Sequence, residues 1–178
     1  MKKSTIQYIL ALIACFVVGC GIALVRGQKQ QGVQLLATGE MGIGNTTTSA
    51  AVLAALTGLP VEAVTGRGGG MTDAGFLRKK QVITDALALH RPDKNDVLDI
   101  LSKVGGLDIA AMCGVFLGAA RQRLPVVIDG FISVVAALCA GRLCPAAKDY
   151  FFASHASHEV GYAAAVKELG LEPWLHLG

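Results

Sequence analysis

Short apolar runs alternating with amphipathic helical stretches predict an α/β domain, a buried parallel sheet with helices on both faces. Composition agrees: hydrophobic residues make up 53% of the chain, charged residues 16% and aromatics only 6%, so the apolar excess is aliphatic, as helices packed on such a sheet require. At 178 residues the chain is sized for one domain with a sizeable core, and this hydrophobicity excludes disorder.

The N-terminus reads in two ways. Lys2 and Lys3 followed by the apolar run Tyr8 to Val25 fit a secretory signal or a short membrane span, and Val17-Val18-Gly19-Cys20 resembles a bacterial lipoprotein cleavage site. The same residues also suit a core helix, because Gly21 to Val25 lead straight into Arg26-Gly27 and a polar, helical Gln28 to Gln31. The composition shift divides the chain into an apolar segment, residues 1–27, and an α/β domain, residues 28–178. Membrane association is then expected through residues 6–25 on the first reading, and a cytoplasmic protein on the second.

Beyond Gly32 the elements follow in order. Val33 to Ala37 is a buried strand ending at Thr38-Gly39-Glu40, and Thr46 to Thr57 is a helix with Thr and Ser available to cap it and Gly58 to end it. Val61 to Val64 is a short strand leading to Thr65-Gly66-Arg67-Gly68-Gly69-Gly70. Thr72 to His90 is a long helix closed by Pro92, Asp96 to Lys103 a shorter one, and Asp108 to Arg123 a third that ends before Pro125. Val126 to Ile128 is a strand followed by Asp129-Gly130 and a helix to Arg142; Asp149 to Ala153 is another, followed by Ser154 and a helix to Leu169. In parallel sheets ligands bind at the C-terminal strand ends, which here carry Thr38-Gly39-Glu40, Asp129-Gly130 and Ser154-His155.

A net charge of +3, with Lys2, Lys3, Arg26 and Lys29 all near the N-terminus, offers no basic stripe interleaved with aromatics, so nucleic acid is not an expected partner. Cys15, Cys20, Cys113, Cys139 and Cys144 are odd in number and lack a C-x-x-C pair; they read as reduced, small core residues rather than a disulfide frame or zinc site.

The strongest local signal is Gly39-Glu40-Met41-Gly42-Ile43-Gly44-Asn45-Thr46-Thr47, which follows a strand and opens a helix, where backbone N–H groups and the helix dipole favour an anion. No Gly-Lys-Ser/Thr follows, and Thr47 stands where a dinucleotide fingerprint has its third glycine; the competing reading is a plain glycine turn. In the second loop, Arg67 suits a phosphate or carboxylate, and the three adjacent glycines cost more ordering entropy than a structural turn warrants. Lys79 and Lys80, two turns into the next helix, reach back to an anion or form a solvated face, the latter being the generic expectation. Asp129 suits ribose hydroxyls or a helix cap. His155 and His158 with Glu159 have metal-like spacing, but no third ligand is spaced to help, which favours a surface or cap role. His90 and His176 are uninformative alone.

Taken together, GEMGIGNTTTSAAV, TGRGGG, the helix with Arg78-Lys79, KVGGLDIAAMCGVFLGAA, PVVIDGF and FASH closely resemble the nicotinate-nucleotide–dimethylbenzimidazole phosphoribosyltransferase family, from about Gly21 to Gly178. The resemblance implies a Rossmann-like α/β fold, a homodimer, and transfer of phosphoribose from nicotinate mononucleotide to 5,6-dimethylbenzimidazole, giving α-ribazole phosphate and nicotinate for the lower ligand of cobalamin. It implies no metal and no cofactor. Thr38, Gly39, Glu40, Met41, Gly42, Ile43, Gly44, Asn45 and Thr46 would line the ribose-phosphate and base site, with Glu40 the carboxylate nearest the chemistry. Gly66, Arg67, Gly68, Gly69 and Lys79 would meet phosphate, and Asp129 and Ser154 would shape the pocket. The family's general base, a glutamate in a glycine-rich motif, is expected just beyond the stretch matching Leu175-His176-Leu177-Gly178, and its N-terminal portion is expected to be missing or replaced by residues 1–20. An alternative expectation is a non-catalytic nucleotide-binding module, completed by another chain or held at a membrane.

Overall fold

The computed structural model describes residues 3–175, so Met1, Lys2 and the closing His176-Leu177-Gly178 lie outside the described residues. Along the chain run α1 (Lys3–Gln30), β1 (Leu36–Thr38), α2 (Asn45–Thr57), α3 (Val61–Val64), α4 (Asp73–His90), α5 (Val97–Val104), α6 (Leu107–Gln122), β2 (Val126–Ile128), α7 (Gly130–Leu143), β3 (Phe151–Ala153) and α8 (Tyr162–Leu169), with a 3-10 turn, Pro145–Tyr150, leading into β3.

The three strands form one parallel sheet in the order β1-β2-β3, with Leu36, Ala37 and Thr38 opposite Val126, Val127 and Ile128, which in turn face Phe151, Phe152 and Ala153. Parallel neighbours cannot be joined by hairpins, so α2 to α6 carry the chain from β1 to β2 and α7 carries it from β2 to β3. This is an α/β architecture of a parallel sheet flanked by helices. Alternation along the strands buries Thr38, Val126, Ile128, Phe151 and Ala153 on one face. On the opposite face Ala37 and Phe152 are exposed and Val127 is half-buried. α7 is the central helix: Val134 to Ala140 are wholly buried among α2, α6 and α8.

α1 is one unbroken helix through residue 27, laid along α6 and α5, and it buries Ala14, Val18 and Val25. Its crossing with α6 is close. A Cβ on Gly114 would overlap the Val18 carbonyl, and one on Gly21 would overlap that of Ala111. The outward side carries exposed Tyr8, Leu12, Phe16 and Leu24, and by length and composition the helix could cross a membrane over Thr5–Gln30.

Several expected elements are corrected. Val61–Val64 is a helical turn, not a strand: Pro60 opens it, and Val61 and Val64 face inward three residues apart while Glu62 and Ala63 are exposed. β1 starts at Leu36 rather than Val33, because the Val33 amide still bonds back to Gln28 at the end of α1. β3 starts at Phe151, since Pro145 favours a 3-10 turn over residues 145–150. After Ser154 the chain stays irregular until Tyr162, because the 155–161 segment is tied instead to Trp174-Leu175: Ala156 N donates to Leu175 O. No Thr or Ser side chain caps α2, whose N-cap is Gly44 at φ 92, a left-handed conformation that favours glycine. Of the cysteines expected in the core, Cys113 and Cys139 are buried, whereas Cys15, Cys20 and Cys144 are exposed on the outer sides of their segments.

Candidate active site

The C-terminal strand ends and the loops that leave them converge. Gly39 passes beside Asp129, so that a Cβ there would lie 3.1 Å from Asp129 Oδ2. Thr38 faces inward: its Oγ1 lies 2.6 Å from Ser133 Oγ, and its carbonyl accepts the Asp129 N–H at 3.0 Å, locking β1 to the start of α7. Glu40 Oε2 accepts the Gly42 N–H at 2.9 Å, which curls the loop on itself. Met41 and Ile43 point fully into solvent. Asn45 Nδ2 is buried with no hydrogen-bond partner. With a glycine N-cap, the first-turn N–H groups of α2 receive no side-chain acceptor, which leaves donors and the positive end of the dipole facing the site.

Lys79 ties the two glycine loops together. It is 5% exposed, far from the solvated face generically expected, and its Nζ donates to Thr46 Oγ1 at 2.9 Å and to the Gly66 carbonyl at 2.8 Å. A Cβ on Gly68 would stand 3.1 Å from Thr46 Oγ1 and 4.0 Å from Lys79 Nζ, so glycine lets this loop close over the ammonium. Burial pushes the Lys79 ammonium below its ordinary pKa, and the Glu159 carboxylate pulls it part of the way back. Lys80 is half-buried, with its Nζ 4.1 Å from the centre of the Phe76 ring.

Arg67 is occupied locally: it donates to Met71 O at 3.0 Å and to Asp73 Oδ1 at 2.5 Å, and it lies 4.8 Å from the Phe76 ring centre. Gly69 meets nothing within 4 Å and borders open space. A cavity of about 840 Å³ lies between Gly66 to Gly68, Phe76 and the segment His155 to Val160. A second, of about 420 Å³, runs from Gly42 to Thr47 along Arg67 to Met71. Arg67 and Gly68 line both, so the two adjoin at the 66–71 loop as a groove in two parts.

Asp129 is the N-cap residue of α7, but its side chain makes no capping bond. Its Oδ1 lies 3.4 Å from His155 Nδ1, and Ser154 Oγ lies 3.1 Å from the same nitrogen while donating to Ile128 O at 2.8 Å. Tyr162 OH is buried without a partner; burial, then the Asp129 charge, raises its pKa. Of the expected site residues, Gly42, Ile43, Gly44, Thr46, Gly66, Arg67, Gly68 and Gly69 line the groove; Lys79 meets it through Thr46 and Gly66, Asp129 and Ser154 adjoin it through His155, and the Thr38 hydroxyl turns away to Ser133. His155, His158 and Glu159, whose spacing in sequence is metal-like, instead line that groove. Among the described residues no three His, Cys, Asp or Glu side chains converge on one point. Reading 155–161 as a helix hid this contribution, although the strand-end rule already pointed to Ser154-His155.

Comparison with known proteins agrees with the motifs. A family model described as phosphoribosyltransferase matches residues 13–178. A nicotinate-nucleotide–dimethylbenzimidazole phosphoribosyltransferase of Clostridium perfringens (strain ATCC 13124) is 57% identical over 157 residues, 88% of this chain and 44% of the relative. One from Roseiflexus sp. (strain RS-1) is 57% identical over 161 residues, 90% of this chain and 46% of the relative. The crystal structure of CobT from Thermus thermophilus superposes with a TM-score of 0.87 at 41% identity, covering 92% of this chain and 49% of that one. The chain therefore spans less than half the length of the curated relatives it matches. On the match over residues 13–178, together with these relatives, the chain belongs to the nicotinate-nucleotide–dimethylbenzimidazole phosphoribosyltransferase family.

Proposed function

We propose that the groove binds nicotinate mononucleotide and serves transfer of its phosphoribosyl group to 5,6-dimethylbenzimidazole, forming α-ribazole phosphate and releasing nicotinate. The observation that carries this reading is Lys79, a buried ammonium between Thr46 Oγ1 and Gly66 O where two glycine loops and the start of α2 meet. Burying an ammonium is costly unless something uses it, and a phosphate at the Asn45 and Thr46 N–H groups that open α2 would do so. Gly66, Gly68 and Gly69 would let backbone approach the phosphate, while Arg67, already paired with Asp73, would shape the loop rather than reach inward. Asp129, with Ser154 and His155 behind it, is placed to accept ribose hydroxyls.

In the transfer, one benzimidazole nitrogen attacks the anomeric carbon as the bond to nicotinate breaks, the proton on the other nitrogen passes to a general base, and the sugar passes through an oxocarbenium-like state. Carboxylates near the sugar, Asp129 and Glu40, would stabilise that positive charge, and Glu40 is held in the loop by the Gly42 N–H. Met41 and Ile43 would give the flat aromatic acceptor an apolar contact. The same reading makes the protein a cytoplasmic homodimer, with the exposed apolar side of α1 offering contact area. That side also supports a second reading, association with a membrane surface through residues 6–25.

The test is calorimetric titration of nicotinate mononucleotide into the full chain and its Lys79→Ala variant. Loss of one charge-assisted contact should weaken binding about 10- to 100-fold. Equal affinity in the two proteins would remove the phosphate from this site.

A further inference from the structure

Glu159 has no role in the transfer as described, yet its surroundings are unusual. One carboxylate oxygen, Oε2, is buried with no hydrogen-bond partner. The carboxylate occupies the place a side chain at Gly66 would need, so that a Cβ there would overlap it. On the carbonyl side of the same glycine, the Lys79 ammonium donates to Gly66 O at 2.8 Å. A buried carboxylate without a hydrogen bond is costly unless a nearby cation offsets it. Among the described residues Arg67 is paired with Asp73 and Lys80 lies on the Phe76 ring, whereas the Glu159 charge acts on Lys79 across Gly66.

We propose that Glu159 is a positioning residue of this site: its carboxylate braces Gly66 opposite the Lys79 ammonium and so holds that ammonium and the 66–70 loop in place for an incoming anion. The inference rests on the phosphoribosyl reading of the groove. Glu159 does not touch the transferred group. It acts through Lys79 and through the course of the 66–70 loop.

Around Lys79, α2 contributes the uncharged Thr46, the glycine loop contributes the Gly66 carbonyl, and the segment before α8 contributes the Glu159 charge. Arg67, His155 and His158 line the neighbouring cavity, with Arg67 turned to Asp73. Desolvation lowers the pKa of Lys79 and the Glu159 charge raises it. Neutralising Glu159 therefore moves the loss of the ammonium, and with it anion binding, to lower pH.

Sulfate, a tetrahedral dianion that does not itself titrate in this range, is the probe, measured from about pH 6.5 to about pH 9.5 against wild type, Glu159→Gln and Glu159→Asp. At the acid end, Glu159→Gln should bind within about threefold of wild type, and its affinity should fall away at lower pH than that of wild type on the alkaline side. Glu159→Asp, one methylene short of Gly66, should fall between the two. It is also the variant read if Glu159→Gln fails to melt cooperatively. Curves that superimpose on wild type, or a uniform loss at every pH, overturn the proposal. A parallel titration with nicotinate mononucleotide separates the two readings. Wild type that binds sulfate but not the nucleotide ends the phosphoribosyl reading, while the sulfate curves still decide on Glu159. Wild type that binds neither overturns both.

Discussion

Lys79 shows how one residue can be misjudged from its neighbours in sequence. Nothing in Arg78-Lys79-Lys80 distinguishes the middle lysine from a solvated helix position, yet it is 5% exposed and joins two loops that lie 13 and 33 residues away. Family resemblance pointed to it; generic reasoning did not, because burial depends on which face of α4 meets α2. The charge of Glu159 across Gly66 makes a prediction about stability. Lys79→Met strands a buried carboxylate and the Gly66 carbonyl, and should cost about 1–3 kcal/mol in urea unfolding. Adding Glu159→Gln to that variant should return part of the loss, so the two changes will not add. Strict additivity in the double-mutant cycle would show that the two side chains do not sense each other.

Among elements, α1 is where glycines in one helix have opposite meanings. Gly21 and, across from α1, Gly114 let the helices touch backbone to backbone, whereas Gly19 meets nothing within 4 Å on the exposed side. Gly114→Val, forced against Val18, should destabilise the protein by about 1–3 kcal/mol. Gly19→Ala should instead stabilise it by about 0.5–1 kcal/mol, since alanine is the better helix residue where no neighbour intervenes. Urea midpoints of the two variants should therefore move in opposite directions, and equal shifts would refute the packing of α1 on α6. The long helices were legible in the sequence because their ends carry strong punctuation, such as Gly58, Pro92 and Pro125. The short elements were not. Val61 to Val64 suits a strand or a helical turn equally until Pro60 and the burial of Val64 decide, and 155–161 looks helical until its bonds to Trp174-Leu175 are known. The first glycine loop was legible as a site because strand, glycines and helix occur in immediate succession. The 155–161 wall was not, since it reaches the groove by a tertiary path.

At the scale of the whole molecule, the fold rests on α7 and α6, and each buries a thiol in its packing, Cys139 and Cys113 respectively. Burial raises the pKa of Cys113 from 9.0 to about 12, and that of Cys139 well above its ordinary value. The folded state thus keeps protons that the unfolded chain gives up, so the stabilisation is complete below pH 9.0 and is lost as pH rises toward about 12. Tyr162, also raised, acts in the same direction at higher pH. Lys79, whose folded pKa is lowered from 10.5, acts in the opposite direction: its buried charge weighs against folding until it is shed, so its own contribution rises with pH up to 10.5. Cys113, Cys139 and Tyr162 all act against the fold as pH rises, and global stability should decline under alkaline conditions. By about pH 11, Cys113 alone should account for a loss of about 2–3 kcal/mol relative to about pH 8. Urea midpoints measured across that range on wild type and on the Cys113→Ala, Cys139→Ala double variant provide the check. The wild-type midpoint should fall and the variant's should stay flatter. A variant that declines as steeply as wild type would place the alkaline sensitivity outside the α6–α7 core.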